Sequence, residues 1–371
     1  MKLIKKVLIS IVIIIFIYVI WRLIKNRVEI KNTNENFSLF SDSSTNEIDS
    51  LKNNETVKIQ SCRDEFSRLQ LREYCIKASY NSALTGKYMN LDMITYVLIR
   101  GCRFLDFEIF YIGETTTDMK NVKTTKYTPR VAYSTDYTHT TINSENSILL
   151  DNVLTTVINS AFSSPTPNIK DPVFINLRVK SNNKDVYKAV ASSIDNTIRQ
   201  KLYVDTTSSQ TPYPARRVKR NTLLSDIMGK IIICFDKTIN RYYKDFTNCD
   251  PSDGACYDLK DYINIETGSE DLNLLSYSEV MNQCTIPIDI KDNNIDTNVK
   301  TMKYVIPNTK IDNSKNPSIS DFVLKQSVQI PAYRFYKRDA GLKEYEEFFN
   351  DNQTAFVPLA IAIPYLKKIS Q

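Results

Sequence analysis

The chain has 371 residues, 42% of them hydrophobic, enough for one large domain or two ordinary ones with a real core. Its 48 basic and 42 acidic side chains leave a formal charge of only +6, which implies neither disorder nor long-range attraction to nucleic acid. A single histidine, His139, excludes any mechanism that needs two imidazoles, and seven cysteines without a C-x-x-C pair give no zinc site.

Residues 7–21 are almost unbroken aliphatic, Leu23 and Ile24 extend the run past Arg22, and Lys5, Lys6, Arg22 and Lys25 can snorkel. This predicts an N-terminal transmembrane helix within 1–27, a single-pass membrane anchor. A cleaved signal peptide is disfavoured because no small-x-small cleavage site follows. Basic residues on both flanks leave its orientation open. Residues 28–60, rich in Asn, Ser, Thr and acids, predict a flexible tether, and 61–371 the globular part.

Residues 74–78 read as a strand and 79–87 as a polar loop turning at Gly86. Asn90 is placed to cap a helix carrying Leu91, Ile94, Val97 and Leu98 on one face, and Gly101 sits where a left-handed residue ends it. A strand over 104–110 follows, apolar except for Asp106 and Glu108, which period two puts on one face. Strand, loop, helix, strand is a parallel βαβ unit. Its two carboxylates need a partner, water or a cation, so they read either as a structural ion pair or as a metal or substrate site.

Next come a polar, Thr-rich insertion at 113–128, a short strand at 129–134, and His139 in a loop. An amphipathic helix is predicted at 148–162, a strand at Val173–Val179, a helix at 184–201 and a strand at 231–235. Between the last two, Arg216-Arg217-Val218-Lys219-Arg220 reads as a solvated loop, with contact to anionic lipid heads or proteolytic processing as alternatives. Cys249 and Cys256 bracket a loop and are candidates for a disulfide. The Asp- and Asn-rich stretch 248–316 predicts an insertion or linker, with short strands at 262–265 and 304–306. Regular structure resumes at 319–324, with a strand at 328–336, a helix at 342–349 and a last strand at 355–363. Alternating strands and helices predict an α/β fold, as a parallel sheet or a barrel.

The run Ser79-Tyr80-Asn81-Ser82-Ala83-Leu84-Thr85-Gly86, then Arg100-Gly101-Cys102-Arg103 and the acidic strand, resembles a pattern of the phosphatidylinositol-specific phospholipases C: Ser-x-His-Asn-Thr-x-Leu-x-Gly, Arg-Gly-Cys-Arg, acidic strand. Residues 129–133, Ala161-Phe162, 172–177, Met228-Gly229-Lys230-Ile231, Tyr333-Arg334-Phe335-Tyr336 and 345–349 extend the likeness between positions 62 and 365. The resemblance implies a (β/α)8 TIM-like barrel of the phospholipase C-like phosphodiesterase type, its first half within 62–240 and its second within 317–365. It also implies attack of the inositol 2-hydroxyl on its own phosphate, with one histidine as base and another as acid. In eukaryotic members calcium is held by Asn and carboxylates.

Tyr80 stands at the first histidine position and Ser134 at the second, with His139 five residues beyond. Asn81 is retained, and Asp106 and Glu108 fill the acidic positions. Arg178 stands where a glutamate is expected, and some bacterial relatives use an arginine in place of calcium, so no metal or other cofactor is expected. Arg334 and Lys237 are the expected phosphate contacts, Cys234 falling where the family has lysine. The implied function is a membrane-anchored barrel with a degenerate site that binds inositol phosphate or anionic membrane lipid, such as a phosphoinositide, without efficient turnover. The alternatives are a calcium-independent phosphodiesterase using His139 or Tyr80 with the carboxylates, and a structural surface protein with a vestigial pocket. Composition heavy in Lys, Asn and Ile suggests an AT-rich genome, and divergent barrels of this kind resemble those of large DNA viruses, which makes a virion membrane the expected location.

Overall fold

The structure is a computed structural model that describes residues 39–370 apart from 53–55, 118–122, 136–140, 211, 247–256, 284–298, 300 and 309–314. The predicted membrane span, His139 and the Cys249–Cys256 pair lie outside the described residues. Among the described residues no helix is long and apolar enough to cross a membrane.

In chain order the strands are β1 (Tyr74–Ile76), β2 (Ala78–Ser79), β3 (Phe104–Thr117), β4 (Lys123–Val131), β5 (Ile148–Leu149), β6 (Val173–Val179), β7 (Ile231–Asp236), β8 (Ile265–Thr267), β9 (Leu272–Ser276), β10 (Met302–Ile306), β11 (Ile330–Tyr333) and β12 (Phe356–Pro358). Eight of them, β2, β3, β6, β7, β8, β9, β10 and β11, pair in parallel in that order, and β11 returns to β2 to close a TIM-like barrel. The barrel alternative to an open sheet is therefore the one realised. Burial on both faces explains why β6 and β7 read as near-continuous apolar runs.

The helices are α1 (Leu39–Leu51), α2 (Asp64–Ser67), α3 (Leu91–Ile99), α4 (Leu150–Ala161), α5 (Asp185–Ile198), α6 (Tyr277–Asn282), α7 (Ile319–Gln326), α8 (Ala340–Asp351) and α9 (Leu359–Ile369). α3 begins as the sequence predicts, with the Asn90 side chain accepting from the Asp92 N–H at 2.8 Å, and Gly101 at its end has φ +83°. α4 buries Val153, Leu154 and Val157, and α5 buries Val186, Val190 and Ile194, the stripes expected at these spacings.

Four expectations are corrected. The tether 28–60 gives way to α1 over its later part, because Ile48 and Leu51 are buried and Glu47 accepts from Thr85 Oγ1 at 2.6 Å and the Lys87 N–H at 3.1 Å. Residues 113–128 are no irregular insertion. β3 runs on to Thr117 and β4 returns beside it, so the strand expected at 129–134 is part of this return and not of the barrel. The stretch 248–316 supplies three barrel strands, β8, β9 and β10. The strand expected at 355–363 is only β12, paired with β1; beyond it Leu359, Ala362, Ile363 and Leu366 turn to one face of α9.

Contact density divides the chain into two units, residues 46–112 with 128–371 and residues 1–45 with 113–127. The first holds the barrel. In the second, Thr115 and Thr125 bond across the two strands at 2.9 Å.

Near the start of α8, a Cβ on Gly341 would stand 2.0 Å from the Asn316 carbonyl oxygen. Asn316 in turn receives the Arg334 N–H on Oδ1 at 3.0 Å. Gly341→Ala is therefore expected to destabilise the fold by about 1–3 kcal/mol, the usual range for overpacking. Urea unfolding checks it, and an unchanged midpoint would refute the close approach.

Candidate active site

Strand parity selects the residues that face the barrel axis. Register pairs Asp106 with Asn176 and Glu108 with Arg178, and Asn176 with Cys234, so these side chains project inward with Asp236 and Thr267 from the next strands. Below them Phe104 stacks with Phe174 at 6.0 Å and meets Tyr304 at 4.7 Å, an aromatic floor that excludes water.

Arg178 is the centre of the polar layer. Its Nε donates to Asp106 Oδ1 at 2.8 Å and its Nη2 to Asp106 Oδ2 at 2.6 Å, a bidentate pair, while Nη1 donates to Glu108 Oε1 at 2.7 Å. Nη2 also reaches Asn81 Oδ1 at 3.2 Å. The Tyr80 ring lies beneath the guanidinium, 4.9 Å from its carbon.

Every carboxylate oxygen has further donors or at least one cation. Asp106 Oδ1 accepts from Asn176 Nδ2 at 2.9 Å, and Oδ2 from the Asn81 N–H at 3.1 Å. Glu108 Oε2 accepts from the Ser134 N–H at 2.9 Å and lies 3.2 Å from Lys180 Nζ. Thr267 Oγ1 orients Asn176 by donating to its Oδ1 at 2.8 Å. Asn81 holds its place through a left-handed backbone, φ +44°, which asparagine tolerates, and its Nδ2 is buried without a partner among the described residues.

Burial works against the Arg178 charge, yet Asp106 and Glu108 outweigh it and hold the guanidinium well above its ordinary pKa. Burial pulls the Lys180 ammonium down, with Glu108 opposing. Burial also pushes the Tyr80 phenol upward against the pull of Arg178, and raises Asp236 against its bonds from Thr238. Tyr80 thus stays a neutral phenol with less phenolate available to act as a base than in water, and the Asp106 oxygens are already loaded with donors. Asp106, Glu108 and Ser134 are wholly buried, and Tyr80, Asn81, Arg178 and Arg334 are no more than 2% exposed.

The structure therefore gathers Tyr80, Asn81, Asp106, Glu108, Ser134 and Arg178 into one cluster. Arg334 is also buried, its guanidinium carbon 5.8 Å from the Tyr277 ring. Lys237 is a correction: Asp236 takes the inward position, and Lys237 turns to the outer wall, 3.6 Å from Glu266. Asn176, Lys180, Asp236 and Thr267 were not singled out from sequence; period two from Arg178 and Cys234 marks three of them. Among the described residues no group of three or more His, Cys, Asp and Glu side chains is placed to hold a metal ion.

Residues 68–237 match the family model described as phosphatidylinositol-specific phospholipase C, X domain. That match spans four of the eight barrel strands, β2, β3, β6 and β7. The chain is similar in fold to the crystal structures of S. officinalis PLC21, at TM-score 0.52 and 17% identity, and L. pealei PLC21, at 0.53 and 16%. Each alignment covers 82% of this chain and 38% of the other, so the chain spans well under half the length of those proteins. A calcium-dependent phosphoinositol-specific phospholipase C from a Pseudomonas species aligns at TM-score 0.47 with 12% identity, over 82% of this chain and 99% of that one. No curated protein sequence gives a significant match. Within this barrel, Arg178 pairs with both acidic residues of β3.

Proposed function

We propose that the chain is a membrane-anchored phospholipase C-like protein that binds inositol phosphate or anionic lipid and turns over little or no phosphodiester. The observation that carries this reading is the Arg178 guanidinium, seated within 2.6–2.8 Å of both Asp106 and Glu108 in a closed interior. A hard divalent ion takes six to eight oxygens at about 2.3–2.6 Å, and here the space between the carboxylates is filled by nitrogen donors. The residues present do not fit calcium. General acid and base each contribute about 10²- to 10⁴-fold, and neither Tyr80 nor Ser134 supplies an imidazole.

The test is release of inositol phosphate from phosphatidylinositol vesicles by the full chain, with calcium or with chelator. The expected result is no turnover above a heat-inactivated control in either condition, with retention of the chain on the vesicles. Turnover that Asp106→Ala abolishes would sink the proposal. A second reading, calcium-independent hydrolysis, draws on the same guanidinium as a fixed positive charge; it requires turnover indifferent to chelator and lost in Arg178→Met.

A further inference from the structure

The outer wall of β7 and β8 carries a different set of cations. Between these strands the described chain forms only the short 3-10 turns Tyr243–Phe246 and Leu259–Tyr262. The basic run expected to be a solvated loop is pinned across the gap as an extended strip. The Ala215 N–H donates to the Asp261 carbonyl at 2.6 Å and the Val218 N–H to the Asn264 carbonyl at 2.8 Å. Asn264 Nδ2 returns bonds of 2.7 Å each to the Tyr203 and Arg216 carbonyls. Extended geometry turns successive side chains to opposite faces, so Val218 is wholly buried while Arg217 and Lys219 stay exposed.

This strip and the two turns border an open-sided cavity of about 300 Å³. Its apolar lining includes Val218, Ile263 and Tyr243, and its polar lining includes Arg217, Lys244 and Lys260, the last paired with Asp258, against Glu266 and Asp271. The carboxylates are occupied from within the wall. Glu266 takes Lys244 at 2.5 Å, the Tyr243 hydroxyl at 2.9 Å and Lys237 at 3.6 Å, and Asp271 accepts the Arg220 N–H at 3.3 Å. Among the described residues the Arg217 side chain makes no hydrogen bond or ion pair, so its five donors are available to an incoming anion.

We propose that this cavity is a binding site for a small organic phosphate, the phosphoryl oxygens meeting Arg217, Lys244 and Lys260 and the carbon frame lying on Tyr243 and Ile263. Cations reaching in from three separate segments suit a dianion better than a single carboxylate. The volume is at the small end for ligand pockets and admits a phosphate with one ring. The chemistry is shared by a lipid headgroup and a free phosphate ester. The site lies outside the barrel interior and stands whether or not the Arg178 cluster turns over substrate.

The full chain is titrated calorimetrically with myo-inositol 1-phosphate and, separately, floated with phosphatidylinositol vesicles. The expected result is saturable, salt-sensitive binding in one arm or both, weakened about tenfold or more in Arg217→Gln, since a charged hydrogen bond is worth about 1.5–3 kcal/mol. Arg217→Gln with Lys260→Gln weakens it further, and Lys367→Gln on α9 leaves it unchanged. Arg217 is exposed, so an unaltered melting curve establishes that the variant is folded. Binding in the first arm assigns a free phosphate ester, and binding in the second alone a headgroup. Binding in neither arm, or binding indifferent to the double variant, overturns the proposal, as does binding lost in Arg334→Gln and retained in Arg217→Gln.

Discussion

Arg178→Met is expected to cost about 3–5 kcal/mol of stability, the usual penalty for removing one partner of a buried ion pair. The loss arises less from the missing bonds than from what stays behind: Asp106 and Glu108, both wholly buried, with Lys180 at 3.2 Å from Glu108 as the one remaining ion-pair partner among the described residues. In the variant the two carboxylates are left in a closed interior with far less positive charge to offset their burial, and the deficit should be evident at pH 8. Adding Asp106→Asn and Glu108→Gln to Arg178→Met should recover most of the loss at pH 8, because no unpaired charge remains. Denaturant unfolding at pH 8 compares the parent with both variants; a cost under about 1 kcal/mol, the scale of an exposed pair, would show that the cluster is solvated and not a lock.

The parts of this fold that were legible in sequence are those with one environment along their length. β6 and β7 are buried on both faces and read as apolar runs. α3, α4 and α5 each pack one face and show helical spacing. The misread parts have mixed environments. β3 leaves the barrel after Phe110, where its residues become half-buried and then exposed, and the Thr-rich β4 beside it carries no core signal. β8 is three residues long and β9 mostly half-buried, so neither stands out from the Asp- and Asn-rich segments around it.

Within the candidate site, Asp106 and Glu108 were legible from period two alone, while the roles of Tyr80, Asn81, Ser134 and Arg178 came from the family pattern. Lys237 was misplaced because proximity to a motif does not fix parity, and one residue's shift along β7 exchanges inside for outside.

Glu346→Gln should be comparably costly, about 3–5 kcal/mol, through the opposite kind of residue. Glu346 on α8 accepts from Arg100 Nε at 2.5 Å and lies 3.8 Å from Lys77 Nζ, and all three side chains are buried. Lys77 sits between β1 and β2, donates to the Arg100 carbonyl at 2.7 Å, and stands 5.9 Å from the Phe335 ring and 5.7 Å from that of Phe349. One carboxylate thus ties the start of the barrel to one of its last helices. Burial already lowers the Lys77 pKa against the pull of Glu346, and an amide at 346 removes that pull. A lysine with a depressed folded pKa binds fewer protons folded than unfolded, so stability rises with pH through that window. The Glu346→Gln deficit should shrink as pH is raised from 7 toward 10. Adding Lys77→Met removes the group that titrates and should flatten the dependence. A deficit that does not change with pH would mean that Glu346 acts through packing of α8 rather than through charge.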